Sequence, residues 1–118
     1  MLNVERKNLG TVSLLNLDGN VLIGATDTLR ETMQTLPAST SVILDLSHVA
    51  LVDAHGLGVL LQLREQALAR GMQFELMNPG VHLRELFRMT RLDSVFRIRS
   101  AIGFFPMQAM AGRTRVAA

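Results

Sequence analysis

Between residues 45 and 55 the chain reads DLSHVALVDAH, which places Asp45, His48, Asp53 and His55 in one short stretch. Two carboxylates and two imidazoles can do three kinds of work. As a D-x-x-H…D-x-H set they could ligate a divalent cation. As acids and bases they could serve a small metal-dependent hydrolase. In the third reading there is no chemistry: Asp53 caps a helix and offsets its dipole, while Asp45 and His48 hydrogen-bond loop amides. The spacing fits no familiar metal motif, and no supporting machinery accompanies it. There is no Gly-x-Ser-x-Gly elbow, no phosphate-cradling glycine loop with a lysine, and no cysteine, and "HGLG" is too short for a dinucleotide fingerprint. The expectation is therefore no catalytic residue, no metal and no cofactor. Gly56 and Gly58 would allow close approach of backbone or of a partner.

The elements that position this stretch follow from periodicity. "SVILDLS" (41–47) is apolar almost throughout, with β-branched residues at its start, as a buried central strand requires. "GLGVLLQLREQALARG" (56–71) predicts the strongest helix, with Leu57, Leu60, Leu61 and Leu68 on the inner face and Gly71 ending it. Upstream, "TVSLLNLDG" (11–19) alternates as a strand, paired with residues 1–8 across Leu9-Gly10. A short extended piece, "VLIG" (21–24), precedes a helix over 25–37 that carries Leu29, Met33 and Leu36. Thr26 or Asp27 can cap this helix, and Pro37 stops it. Downstream come a strand at 72–78, a helix at 79–90 through Val81, Leu83, Leu86 and Phe87, and a short strand at 95–98. Strands alternating with helices imply parallel crossovers, and the opening hairpin adds an antiparallel part. The expected fold is α/β, a single domain with a mixed sheet and helices packed mainly on one face.

The 118 residues are enough for one core, and 48% of them are apolar. No apolar run reaches the ~20 residues that span a bilayer. "MLNVERKNLG" is not read as a signal peptide, because its charges come early and no apolar run succeeds them. The expected location is the cytoplasm, without membrane insertion. Net charge is +2, but unevenly spread, with an acidic first half and an arginine-rich second half. Arg84, Arg88 and Arg91 recur at helical spacing, either as a solvated face or as a docking face for an acidic partner or phosphates. Tyrosine and tryptophan are absent, so no base-stacking platform accompanies the arginines, and no direct nucleic-acid contact is expected. Residues 101–118 lose the strand–helix pattern. They are apolar through Phe104, Phe105, Met107 and Met110, then small and basic, and form an extension beyond a domain spanning 1–100.

"VILDLSHVALVDAHGLGVLLQL" resembles the signature of the STAS domain, found in bacterial anti-sigma factor antagonists and in the cytoplasmic domains of sulfate transporters. That signature is a strand ending Asp-Leu/Phe-Ser, a few apolar residues, then Asp-Ser-Ser/Thr-Gly-Leu opening a helix. "LDGNVLIGATDTLRETMQTL" and "GMQFELMNPGVHLRELFRMTRLDSVFRI" are similar to the family's flanking regions, so the resemblance spans residues 2 to 99. It implies a protein-binding module that regulates transcription by docking on an anti-sigma factor, usually a kinase-like ATPase. It implies no enzymatic activity. The expected partner surface is Asp53, Ala54, His55, Gly56, Leu57 and Gly58, with the exposed side of the following helix. In the family the partner kinase phosphorylates a serine at the helix start. Here Ala54 holds the acceptor position, His55 replaces the second hydroxyl residue, and Leu22 stands where many antagonists have an aspartate. No hydroxyl residue lies between Ser47 and Thr90, so no phosphorylation is expected in this loop. Alternatives are a STAS accessory subunit of a transporter or signalling assembly, and the small metal-dependent hydrolase. A homodimer is one expectation for the apolar extension, and fold-back onto the same domain is the other.

Overall fold

The computed structural model describes residues 2–100; the 101–118 extension lies outside them. Two strands open the chain, β1 (Leu2–Leu9) and β2 (Val12–Gly19), followed by α1 (Asp27–Gln34), β3 (Ser41–His48) and α2 (Ala54–Ala69). The remainder is β4 (Gln73–Met77), α3 (Val81–Met89), a 3-10 turn (Leu92–Ser94) and β5 (Arg97–Arg99). The five strands lie in chain order across one sheet. β1 and β2 are antiparallel, and β3, β4 and β5 each add in parallel. The hairpin turns where it was expected: Leu9 pairs with Val12 and Gly10 takes a φ of +65°, which costs glycine little.

Strand alternation divides the sheet into two faces. Leu15 and Leu17 of β2, Val42, Leu44 and Leu46 of β3, and Phe74 and Leu76 of β4 face the helices. They meet Leu29 and Met33 of α1, Val59, Leu60, Leu63 and Ala67 of α2, and Leu83 and Phe87 of α3 in one cluster. Burying these side chains is the main stabilising contribution, about 1.5–3 kcal/mol for each large one. Phe96 closes the far end, with its ring edge-on to Phe87 at 5.7 Å between centroids. The other face carries a smaller cluster of Leu14, Ile43 and Met77, with Val12 beside it. The fold is thus the expected mixed sheet with helices on one face.

Four local readings are corrected. Within 21–24 only Val21 is extended, bridging to Val52, and Gly24 turns the chain at a φ of +82°. α2 begins two residues before Gly56, and its inner face is rotated: Val59, Leu60, Leu63 and Ala67 are buried, while Leu68 is 47% exposed. Apolar residues ring this helix, so spacing alone left its phase open. The small residues Gly56 and Ala67 decide it, because they let the helix approach its neighbours. In β4 the strict alternation fails, since Glu75 and Met77 are as buried as Phe74 and Leu76. Val81 opens α3 but is 81% exposed, and the last strand starts at Arg97 because Phe96 turns into the core.

Candidate functional site

The C-terminal ends of β2 and β3 are where the two loops meet. The chain leaving β2 runs beside the chain leaving β3. Val21 N–H donates to the Leu51 carbonyl (3.0 Å), and Asp53 N–H donates to the Val21 carbonyl (3.3 Å). The Asn20 side chain accepts from Leu51 N–H (3.0 Å). Asp53 then joins the loops to the helix. One carboxylate oxygen accepts from Gly56 N–H at 2.7 Å, the N-cap of α2, and the other accepts from Ile23 N–H at 3.0 Å. Two backbone donors favour the charged form, with His55 nearby adding to the effect, so the carboxyl is held below the usual aspartate range.

Gly56 is buried because the β2 loop lies directly against it. A Cβ there would fall 2.0 Å from the Val21 carbonyl oxygen and 3.0 Å from Val52 Cγ1. Gly58 differs: a Cβ built there meets no described atom within 4 Å. Gly56 therefore serves the protein's own packing, whereas Gly58 has no such internal reason. Outward from this junction, Ala54 and His55 are exposed, and Asp53, Leu57 and Gly58 are half-buried. Ile23 is 72% exposed and Leu51 is 58% exposed, one in each of the two clasped loops. Sequence reading did not pick out these two residues. Both sit in apolar strings that look like core, and only the turn at Gly24 and the Asn20–Leu51 bond direct them outward. His55 Nε2 lies 3.5 Å from the hydroxyl of buried Thr26, at the limit of hydrogen bonding. Thr26 holds the N-cap position of α1 without a side-chain bond to that helix.

Asp45 and His48 belong elsewhere. The Asp45 carboxylate accepts from Ser47 N–H (3.0 Å), and His48 Nδ1 is 3.2 Å from the Ser47 hydroxyl. Both line an open cleft of about 540 Å³ with Asn3, Glu5, Lys7, Asn16 and Asp18. The four candidate residues of the sequence thus split into two pairs, Asp53 and His55 at the junction of the loops and Asp45 and His48 at the cleft. Among the described residues no group of three or more His, Asp or Glu is placed to hold a metal ion. The arginine row of α3 is also partly spent: Arg84 Nε donates to the Pro79 carbonyl at 3.0 Å, and Arg88 is ion-paired with Glu85. No helix among the described residues is long and apolar enough to cross a membrane.

Over residues 3–104 the chain matches the family model of the STAS domain, and it belongs to that family. Solved structures share the fold at low identity. An anti-sigma factor antagonist from Mycobacterium paratuberculosis aligns with a TM-score of 0.73 at 19% identity, covering 84% of this chain and 86% of that one. The anti-sigma factor antagonist SpoIIAA in its unphosphorylated form aligns with a TM-score of 0.72 at 17% identity, covering 93% and 100%. A sulfate transporter family protein from Wolinella succinogenes aligns with a TM-score of 0.69 at 19% identity, covering 75% and 76%.

The two glycines predict opposite outcomes. Gly56→Ala drives a methyl into the Val21 carbonyl and lowers stability in urea denaturation by roughly 3 kcal/mol or more. Gly58→Ala adds a better helix former in open space and raises stability by up to about 1 kcal/mol. Equal effects would contradict the assigned contacts. Asp53 predicts a pH dependence. Its folded-state pKa is depressed, so its stabilisation is present above the unfolded value, near 4, and is lost as pH falls through the folded value. Melting temperatures across pH 2 to 6 should show Asp53→Asn destabilised at about pH 6 and converging on the wild type at about pH 2. A constant gap over that range would contradict the depressed carboxyl.

Proposed function

We propose that the chain is an anti-sigma factor antagonist-like module, not an enzyme, which docks on an anti-sigma factor or kinase-like ATPase in the cytoplasm and thereby regulates transcription. Its docking surface is the junction built on Asp53, Ala54, His55, Gly56, Leu57 and Gly58, bordered by Ile23 and Leu51. The carrying observation is the outward face of this junction. Ile23 and Leu51 are exposed on the two clasped loops, Ala54 is exposed at the start of α2, and Gly58, one helical turn further on, has no internal contact to require it. A glycine inside a helix costs about 1 kcal/mol relative to alanine. Close approach of a partner's backbone offsets that cost. Family membership supports the reading, and so does the likeness in fold to proteins described as anti-sigma factor antagonists.

The interaction is not switched by serine phosphorylation at this loop. Ala54 has no hydroxyl, and Thr26, whose hydroxyl lies 3.5 Å from His55 Nε2, is buried. Asp53 and Gly56 hold the loops in one arrangement before any partner arrives, which reduces the ordering cost of docking. A second reading, an accessory STAS subunit of a transporter or signalling assembly, uses the same surface. It is favoured by the likeness in fold to the Wolinella protein.

Ala54→Glu tests the docking surface. A carboxylate near a helix N-terminus leaves the fold intact, and its charge must be desolvated if a partner packs there. The expected result, by calorimetric titration against the partner co-purified from the native cell, is a loss of tenfold or more in affinity with an unchanged melting temperature. Unchanged affinity places docking elsewhere on the chain. The identity of that partner, an anti-sigma factor or a transporter component, separates the two readings.

A further inference from the structure

The sheet ends on one side in a long strand with its outer edge open. Among the described strands β1 pairs with β2 alone, in unbroken register and without a proline. The Thr11 carbonyl accepts from Thr40 N–H, toward β3, so the backbone of Val12 turns to β1 and meets Leu9. Alternation then spends the N–H and carbonyl groups of Asn3, Glu5 and Lys7 on β2, and turns those of Val4, Arg6 and Asn8 outward. Among the described residues none hydrogen-bonds to this outer row. A row of this kind is a template for another strand.

The side chains along the edge select which strand. Glu5, Arg6, Lys7 and Asn8 are all exposed. Val4 packs against the helix-side core, which puts Arg6 on the helix face and leaves Glu5 and Lys7 on the other. Among the described residues Glu5 and Lys7 have no ion pair. Arg6 is bound back to its own domain, where its guanidinium donates to the Thr35 carbonyl and hydroxyl, both at 3.3 Å. The flank of α1 above this edge is short-chained, with Thr35 fixed by Arg6 and with Thr28 and Thr32 in line with it along the helix. Charges on an edge keep other strands off when they meet their like. Here their order lets one partner satisfy them, a second copy of the same strand.

We propose that β1 pairs antiparallel with β1 of a second copy of the chain, about a two-fold axis normal to the sheet, so that one sheet runs through both. The axis passes between Arg6 and its counterpart. These two exchange backbone hydrogen bonds, and so do Val4 of each copy and Asn8 of the other. The row that stands open is therefore the row that this pairing bonds. Between those positions Glu5 of each copy stands opposite Lys7 of the other, at non-bonded sites where Cα atoms are only ~4.5 Å apart. The same ion pair thus forms on either side of the axis, directly across the strands, where opposite charges stabilise pairing. Charge also sets the register. A slide of two residues one way puts Glu5 against Glu5, and the other way Lys7 against Lys7, like charges directly opposite. A slide of one residue is excluded, because the axis keeps each face on its own side and the slide would exchange them. The pairing uses no residue of the Asp53 junction and is independent of the docking reading.

The test is sedimentation velocity of the full chain over a concentration series, with a monomer–dimer equilibrium as the expected result. Glu5→Lys and Lys7→Glu should each weaken association about tenfold or more, since each turns both symmetry-related pairs into repulsions. The double exchange Glu5→Lys, Lys7→Glu should restore the wild-type association. A monomer at every concentration would overturn the proposal. So would a dimer that the single reversals leave intact, which would place the interface on another face. The register has its own readout. The chain has no cysteine, so Arg6→Cys introduces a single one, on the axis. Cα atoms ~5.5 Å apart there are within disulfide reach. Mild oxidation should cross-link Arg6→Cys into a dimer and leave Asn8→Cys uncrossed, because its counterpart is displaced along the strand by about 13 Å. Equal cross-linking of the two variants, or of neither, would also overturn the proposal.

Discussion

Both oxygens of one carboxylate hold together the end of this domain where β2 and β3 run out. Asp53 accepts from Gly56 N–H and from Ile23 N–H, and so ties the start of α2 to the loop after β2, thirty positions away in the chain. Neither bond alone would do. The first is an ordinary helix cap. The second converts the cap into a clasp, because it holds the turn at Ile23 against the start of α2. The clasp also sets the need for glycine at 56, since the Val21 carbonyl comes too close for a side chain. Residues that face inward here serve the clasp; those that face outward form the proposed docking surface.

The same arrangement separates the four polar residues of the 45–55 stretch. His55 and Ala54 stand exposed at the start of α2, while Asp45 and His48 turn to the helix-free side. The four polar residues that suggest a catalytic cluster in the linear sequence are dispersed by strand alternation and by the turn into the helix. Asp53 spends its acceptors on backbone amides and Asp45 accepts from Ser47 N–H. A binding surface needs something different, a preformed shape with apolar anchors at its centre. At the border of the proposed docking surface, Ile23 and Leu51 are the large exposed apolar side chains.

Much of this was legible in the sequence because it rests on local rules. The Gly10 turn, the apolar run of β3 and the cap at Asp53 each depend on a few adjacent residues, whereas α1 ends at Gln34, short of the stop expected at Pro37. The features that escaped depend on contacts between distant ones. The phase of α2 is ambiguous in a helix ringed by leucines, and packing of Gly56 and Ala67 resolves it. Ile23 and Leu51 read as core residues until the Asn20 and Asp53 side chains turn their loops outward. Glu75 reads as the solvent side of a strand, yet the helix-free face buries it beside Arg99. Within the site, the role of Asp53 was visible as a cap but not as a clasp, since no spacing rule connects it to Ile23.

The central claim is that the Asp53-clasped junction is the surface a partner grips. Amide hydrogen exchange, compared between the free chain and its complex with the partner recovered from the native cell, tests it most directly. The account predicts slowed exchange in the complex within residues 20–24 and 50–58, with α3 and the sheet faces unchanged. Protection centred on the α3 arginines, with 20–24 and 50–58 exchanging at their free rates, would contradict it.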